Sequence, residues 1–177
     1  WEIDAFVADL IRKHGMTASF LGYNGYPASV CTSINSEVVH GIPSRKRVLR
    51  EGDILSVDVG CTYRGYVTDA ARTYPVGDIT PTVQRLLEVT EEALWIGIRA
   101  SRAGVESSEG KGAIQRHVEH HGYSVVREYT GHGVGRQMRG ARVAFDGKRG
   151  EIGIGRTGCI FRTDEGAILA ALRRPRR

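Results

Sequence analysis

Apolar positions Ile3, Phe6, Val7, Leu10 and Ile11 recur at three- and four-residue spacing, which predicts an amphipathic helix over Trp1 to His14 that stops at Gly15. From Gly22 to Ser44 the pattern turns to β-branched, aromatic and turn-forming residues, punctuated by Gly25-Tyr26-Pro27 and Gly41-Ile42-Pro43. Short strands are expected over Ser29 to Ile34 and Glu37 to His40. Ile54 to Gly60 and Gly65 to Tyr74 read as two strands of a hairpin that turns around Tyr63-Arg64-Gly65. Thr80 or Thr82 caps a long helix traced by Val83, Leu86, Leu87, Val89, Thr90, Leu94 and Ile98, which stops near Gly104. Ser107 or Ser108 opens a second helix that carries Ile114, His117, Val118 and His121 and closes at Gly122. Tyr123 to Tyr129 is a further strand candidate, followed by the glycine-rich turn Gly131 to Gly135. Strands grouped before helices point to an α+β class rather than strict alternation.

Beyond Gly135 the periodicity fades, arginine, glycine and alanine dominate, and no element is predicted. The chain is therefore divided into a structured unit, 1–138, and a divergent basic tail, 139–177. A length of 177 residues suits one domain of about 100–200 residues. With 41% hydrophobic and 25% charged residues, and no run near the roughly 18 apolar residues of a membrane span, the chain reads as soluble. Glycine, at 23 residues, well exceeds the usual ~7%, so tight turns and close backbone approaches are expected.

The net charge of +5 is a property of the tail: 11 of the 25 Lys+Arg and 4 of the 20 Asp+Glu fall between Arg136 and Arg177. The rest of the chain is slightly acidic, which removes the case for nucleic-acid binding by the whole chain and leaves the tail alone to touch an anionic polymer. Cys31, Cys61 and Cys159 fit neither a disulfide framework nor a zinc knuckle and suit a reducing cytoplasm. The first helix carries Glu2, Asp4 and Asp9 in place of a basic leader, and the start at Trp1 is read as an internal one.

Two carboxylates change the picture. Asp58 lies in ILSVDVG and Asp69 in VTDAARTY, within strands that otherwise belong to a core, where an unpartnered carboxylate costs several kcal/mol. A lone strand Asp is more often an edge residue, but the spaced pair is not explained that way. With an even hairpin loop the two are expected directly opposite each other, with Cβ atoms about 4.5–5.5 Å apart; an odd loop breaks the pairing unless a bulge restores it. Carboxylates so close call for a cation, and two divalent ions about 3.5–4 Å apart are a known solution. His132, between glycines in GHGVG, has an imidazole free to coordinate. His40 ends an apolar stretch and on its own reads as a core or turn histidine. His117 and His121 stand at i and i+4 and could bind zinc, but they lack the HExxH order. With His120 they read as a solvated helix end, where cationic imidazoles are favoured.

The stretches FLGYNGYPASVCTSINSEVVHGIPS, EGDILSVDVG, GYVTDAARTYPVG, LLEVTEEAL and YTGHGVGRQM closely resemble the type I methionine aminopeptidases of peptidase family M24, from Trp1 to about Met138. GHGVG is shared with related proline-peptide hydrolases; YPASVCTSINSEVVHGIP is the more telling piece. The resemblance implies a "pita-bread" (creatinase/aminopeptidase-like) α+β fold, with its second half incomplete here, around a dinuclear metal centre. By motif, it assigns Asp58, Asp69 and His132 to two divalent ions (cobalt, manganese, iron or zinc), His40 to substrate contact in catalysis, and Tyr23, Tyr26 and Cys31 to the pocket for the methionine side chain. Aromatic faces and a thiol suit a thioether on chemical grounds as well. The implied activity is removal of the N-terminal methionine from nascent proteins by hydrolysis, in a cytoplasmic monomer with no membrane association and with contact to the ribosome.

The sequence departs from the family after the glycine-rich turn. Where the family continues Met-His-Glu, this chain has Met138-Arg139-Gly140, and an arginine cannot serve as a neutral imidazole. Glu165, between Asp164 and Gly166, is not in the family's Glu-Pro context, and no second glutamate motif follows. Three ligands stand where the family uses five, so weakened metal binding and impaired activity are expected, from a frameshifted reading or a truncation. Two other readings compete: a catalytically dead binding module of the same fold with an RNA-contacting tail, and a proline-specific peptidase.

Overall fold

The computed structural model describes residues 1–100, 107–125 and 134–138. Helix α1 (Glu2–Lys13) is followed by strand β1 (Thr17–Ala18), a single 3-10 turn (Tyr23–Gly25), strands β2 (Val30–Ile34), β3 (Ile54–Tyr63) and β4 (Tyr66–Pro75), and helices α2 (Pro81–Ala100) and α3 (Ser107–His120). The first helix ends as its glycine predicts. Gly15 takes φ +67, its N–H donates to Arg12 O and the Met16 N–H donates to Ile11 O, which closes the last turn with a Schellman pair of bonds. Gly122 does the same for α3, with Tyr123 N–H on Val118 O. Thr80 Oγ1 accepts the Val83 N–H ahead of Pro81, so Thr80 is the cap of α2.

The sheet is antiparallel: β3 is flanked on one side by β1 and β2 and pairs with β4 on the other. The β3–β4 hairpin is longer than its apolar runs suggest, because a two-residue turn of Arg64 (φ +50) and Gly65 (φ +79) lets pairing run up to Tyr63↔Tyr66. Two positive φ angles match the right-handed twist of the flanking strands. One face of this hairpin is buried, through alternate residues Ile54, Ser56, Asp58 and Gly60 of β3 and Val67, Asp69 and Ala71 of β4.

The strand expected over Glu37 to His40 does not form. After β2 the chain turns at Asn35 (φ +53), where the Glu37 carboxylate accepts the Ile34 N–H at 2.8 Å and pairs with Arg47. It then returns alongside β2, where Thr32 N–H donates to Gly41 O (2.8 Å) and Gly41 N–H donates to Ser33 Oγ (3.1 Å). A Cβ on Gly41 would sit 2.2 Å from Thr32 O, so only glycine allows this approach, and the preceding His40 adopts φ +59 to reach it. Val38 and Val39 look strand-forming, but Gly41 decides the path.

Two hydrophobic clusters stand out among the described residues. Ile54, at the start of β3, packs on Leu86 of α2 with Ile79, Val83, Leu87 and Tyr123; Ala93, Ile114 and Val118 join α2 to α3, with Tyr123 and Val125 against them. Helix α1 is tied to the sheet by Asp4, whose Oδ1 accepts the backbone N–H groups of Ser29 (2.7 Å) and Val30 (3.2 Å). The expected strand from Tyr123 to Tyr129 lies mostly outside the described residues, and Tyr123 to Val125 are irregular.

Candidate functional site

Asp58 and Asp69 are both buried, at 1% and 4% exposure, on the same face of the hairpin. They are not directly opposite, which corrects the expectation from spacing. The turn residues are Arg64 and Gly65, so Asp58 pairs with Ala71 and Asp69 with Gly60, and the two acids are diagonal neighbours. Because the loop has two residues, they keep a common face despite the shifted register. Diagonal positions stand roughly 7–8 Å apart, which suits two carboxylates gripping a pair of ions about 3.5–4 Å apart better than direct opposition does. Each acid faces a small residue, alanine or glycine, so neither carboxylate is crowded from across the hairpin. One step along the same face, Ser56 Oγ and Thr73 Oγ1 hydrogen-bond at 2.8 Å. Buried side-chain oxygens of one sign on rigid strands are a donor set that fits hard or borderline divalent cations.

Beside them lies a cavity of about 340 Å³ whose lining includes Phe20, Tyr23, Tyr26, Cys31, His40 and Met138. The three pocket residues named from the sequence and the substrate-contacting His40 therefore meet in one place. Cys31 is the register partner, on β2, of Asp58, so the cavity wall meets that carboxylate's residue across one strand pair. Tyr26 is fixed, its hydroxyl shared between the carbonyls of Val30 (3.0 Å) and Gly41 (3.1 Å). Burial, and then a hydrogen bond with Cys31, push its phenol far above the ordinary range. It meets the cavity as a rigid neutral ring, edge-on to Phe20 with centroids 6.5 Å apart. His40 is carried in by the Gly41 turn.

Phe20 was not legible as a site residue from the hydrophobic pattern. Its ring covers Gly60: a Cβ there would lie 2.4 Å from Phe20 Cε1. A glycine inside a strand is a signal of close approach, and Gly60, two residues after Asp58, is the residue that could have revealed it. Met138 also lines the cavity, at the end of a segment anchored by Gly135 O, which accepts the Val67 N–H at 2.7 Å, two residues before Asp69. Arg136 stacks on Tyr66, 4.9 Å from its centroid, and donates to its hydroxyl. His132 and the departures at Arg139 and Glu165 lie outside the described residues. His117 and His121 are half-buried rather than solvated, and Glu92 of α2 stands beside them.

The chain is similar to known proteins in sequence and in fold. The model of metallopeptidase family M24 matches residues 1–161. A methionine aminopeptidase of Clostridium acetobutylicum is 47% identical over 137 residues, covering 77% of this chain and 55% of the relative. The crystal structure of methionine aminopeptidase from Thermotoga maritima aligns with a TM-score of 0.78 at 41% identity, over 79% of this chain and 56% of that one. An Xaa-Pro dipeptidase from Bacillus anthracis aligns with a TM-score of 0.69 at 25% identity, over 82% and 40%. The chain thus spans about half the length of the curated relatives it matches. The mixed sheet-and-helix architecture is that of the pita-bread α+β fold. Within that fold class, the chain belongs to metallopeptidase family M24.

Proposed function

We propose that this chain carries the site of a methionyl aminopeptidase, a metalloexopeptidase that removes the N-terminal methionine from nascent proteins. The observation that carries the reading is the aromatic, thiol-bearing cavity whose wall residue Cys31 is the register partner of buried Asp58, which shares one hairpin face with Asp69. Asp58 and Asp69, with His132, would hold the divalent ions, whether cobalt, manganese, iron or zinc. When bound, such ions supply Lewis-acid activation of the scissile carbonyl and acidify water at neutral pH. The rest is done by the chain. Tyr23, Tyr26 and Cys31 take the thioether side chain and exclude water from it. Tyr26 cannot swing away, because its hydroxyl is tied to Val30 and Gly41. His40 contacts the substrate by donating a hydrogen bond to the peptide. The two carboxylates fix the charge that orients the free α-amino end, which an exopeptidase must recognise.

Among the described residues no helix is long and apolar enough to cross a membrane. The reading places the protein in the cytoplasm as a monomer acting on chains emerging from the ribosome. With Arg139 where the family has a histidine, turnover is expected to be slow. The test is release of methionine from Met-Ala-Ser with added cobalt or manganese, compared with cleavage of an Xaa-Pro peptide. Expected are slow release of methionine, its loss on chelation and in Asp58→Asn, and no Xaa-Pro cleavage. Preference for Xaa-Pro, release unaffected by Asp58→Asn, or release no faster than in metal-free buffer overturns the reading.

A further inference from the structure

Away from the aspartates, three further metal-ligating side chains converge between α2 and α3: Glu92, His117 and His121 each offer a donor atom within 4.8 Å of the other two. The geometry points to a second divalent transition-metal site, of zinc-like preference, that shares no residue with the carboxylate pair on the hairpin.

Helical spacing supplies the first part. His117 and His121 stand one turn apart on α3 and its C-terminal extension, with ring centroids 4.5 Å apart, so both imidazoles lie along one side of the helix. Packing supplies the second. Ala93 of α2 joins Ile114 and Val118 in the core, and this seats Glu92, its neighbour in sequence, next to His117. Glu92 Oε2 is 3.1 Å from His117 Nε2, close to the separation of about 3.4 Å between two donors that each reach 2.0–2.2 Å to one tetrahedral ion. That nitrogen is buried and makes no well-aligned hydrogen bond, so the contact with Glu92 is not a satisfied pair.

The tautomer of His121 is also set. Its Nδ1 lies 2.8 Å from His117 O, and a carbonyl can only accept, so Nδ1 carries the proton and the neutral ring keeps its lone pair on Nε2. A backbone carbonyl holding the other ring nitrogen is the usual support of a metal-bound histidine. Two imidazoles and one carboxylate leave a fourth tetrahedral position for water, and this donor set favours zinc, copper, nickel or cobalt over magnesium or calcium. Arg85, 3.7 Å from Glu92 Oε1 and 3.3 Å from Glu88, keeps the carboxylate in place and tempers its charge. An ion bridging α2 and α3 would clamp the helix pair next to its small core.

The experiment is zinc binding by the tag-free chain, followed by equilibrium dialysis and metal analysis at micromolar free zinc, in the wild-type and in His117→Gln/His121→Gln. The expected result is one bound ion fewer in the double variant. Since Glu92 is exposed and outside the core, Glu92→Gln serves as a second variant whose fold is not in question. It should weaken the same site at least about tenfold, the lower end of what loss of even an outer-shell partner does. In an Asp58→Asn background, where the hairpin site is impaired, His117→Gln/His121→Gln must still remove one ion, which separates the outcome from that of the peptidase assay. Equal zinc content with and without His117→Gln/His121→Gln, in the wild-type or in the Asp58→Asn background, overturns the proposal, as does undiminished zinc affinity in Glu92→Gln.

Discussion

Gly60→Ala probes the packing that shapes the cavity. In β3, Gly60 has no positive φ and sits in a regular pair with Asp69, so alanine is allowed by the backbone. Replacing a strand glycine by alanine should by itself stabilise the fold by about 0.5–1 kcal/mol. The added methyl meets the Phe20 ring at 2.4, 2.8 and 3.0 Å from three of its atoms. Restoring contact at about 3.5 Å means moving a buried ring by roughly 1 Å, and overpacking of this kind costs about 1–3 kcal/mol. The net expectation is destabilisation by up to about 2 kcal/mol, seen as a fall in Tm of about 2–4 °C per kcal/mol for a chain of this size. Phe20→Val removes every ring atom beyond Cγ, and in that background Gly60→Ala should become stabilising. Urea unfolding of the four chains of this cycle gives the coupling directly. Identical effects of Gly60→Ala in both backgrounds, within the roughly 0.3–0.5 kcal/mol expected of independent sites, would refute the packing argument. Because Phe20 lines the cavity, the single variant should also raise KM for a methionyl peptide more than it lowers kcat.

The phenol of Tyr26 stays protonated in the fold well above its ordinary pKa of 10.0, first through burial and then through its bond with Cys31. The unfolded chain releases that proton first as pH rises, so the contribution to stability is whole below pH 10. Above it the contribution falls by about 1.4 kcal/mol per pH unit. Urea unfolding of wild-type and Tyr26→Phe from pH 8 to 11 should show this extra slope in the wild-type only, and equal slopes would show the phenol to be accessible. Arg64→Asn makes the hairpin turn Asn-Gly, the residues that best tolerate two positive φ angles, and should raise stability by up to about 1 kcal/mol in thermal unfolding. A neutral or lower Tm would mean that the turn is not of this type in solution.

Much of the fold was legible because its signals are local. The helix ends at Gly15 and Gly122, a threonine cap at position 80 or 82 and the strands on either side of Arg64-Gly65 each follow from a few adjacent residues. What failed was long-range. The hairpin register depends on which two residues form the turn, and Arg64 is a weak turn signal, so spacing alone placed Asp58 opposite Asp69 when their true partners are Ala71 and Gly60. The error shifted the pairing by an even amount, so the shared face of the two acids survived it. The strand expected at Glu37 to His40 failed for a similar reason: Val38 and Val39 favour β structure, but the path is set by Gly41 docking on the backbone of Thr32, nine residues back.

Glu92 marks the limit of such reasoning. Periodicity shows that His117 and His121 share a helix face, yet nothing in the order of residues says which side chain of α2 comes to meet them. That depends on how Ala93, Ile114 and Val118 interlock. A substitution such as Ala93→Leu, which forces the two helices apart without touching a ligand, should therefore disturb the Glu92–His117–His121 cluster while leaving the carboxylate pair on β3 and β4 intact. The hairpin holds its acids through backbone pairing within one element pair, whereas the helical cluster exists only as a product of side-chain packing between two.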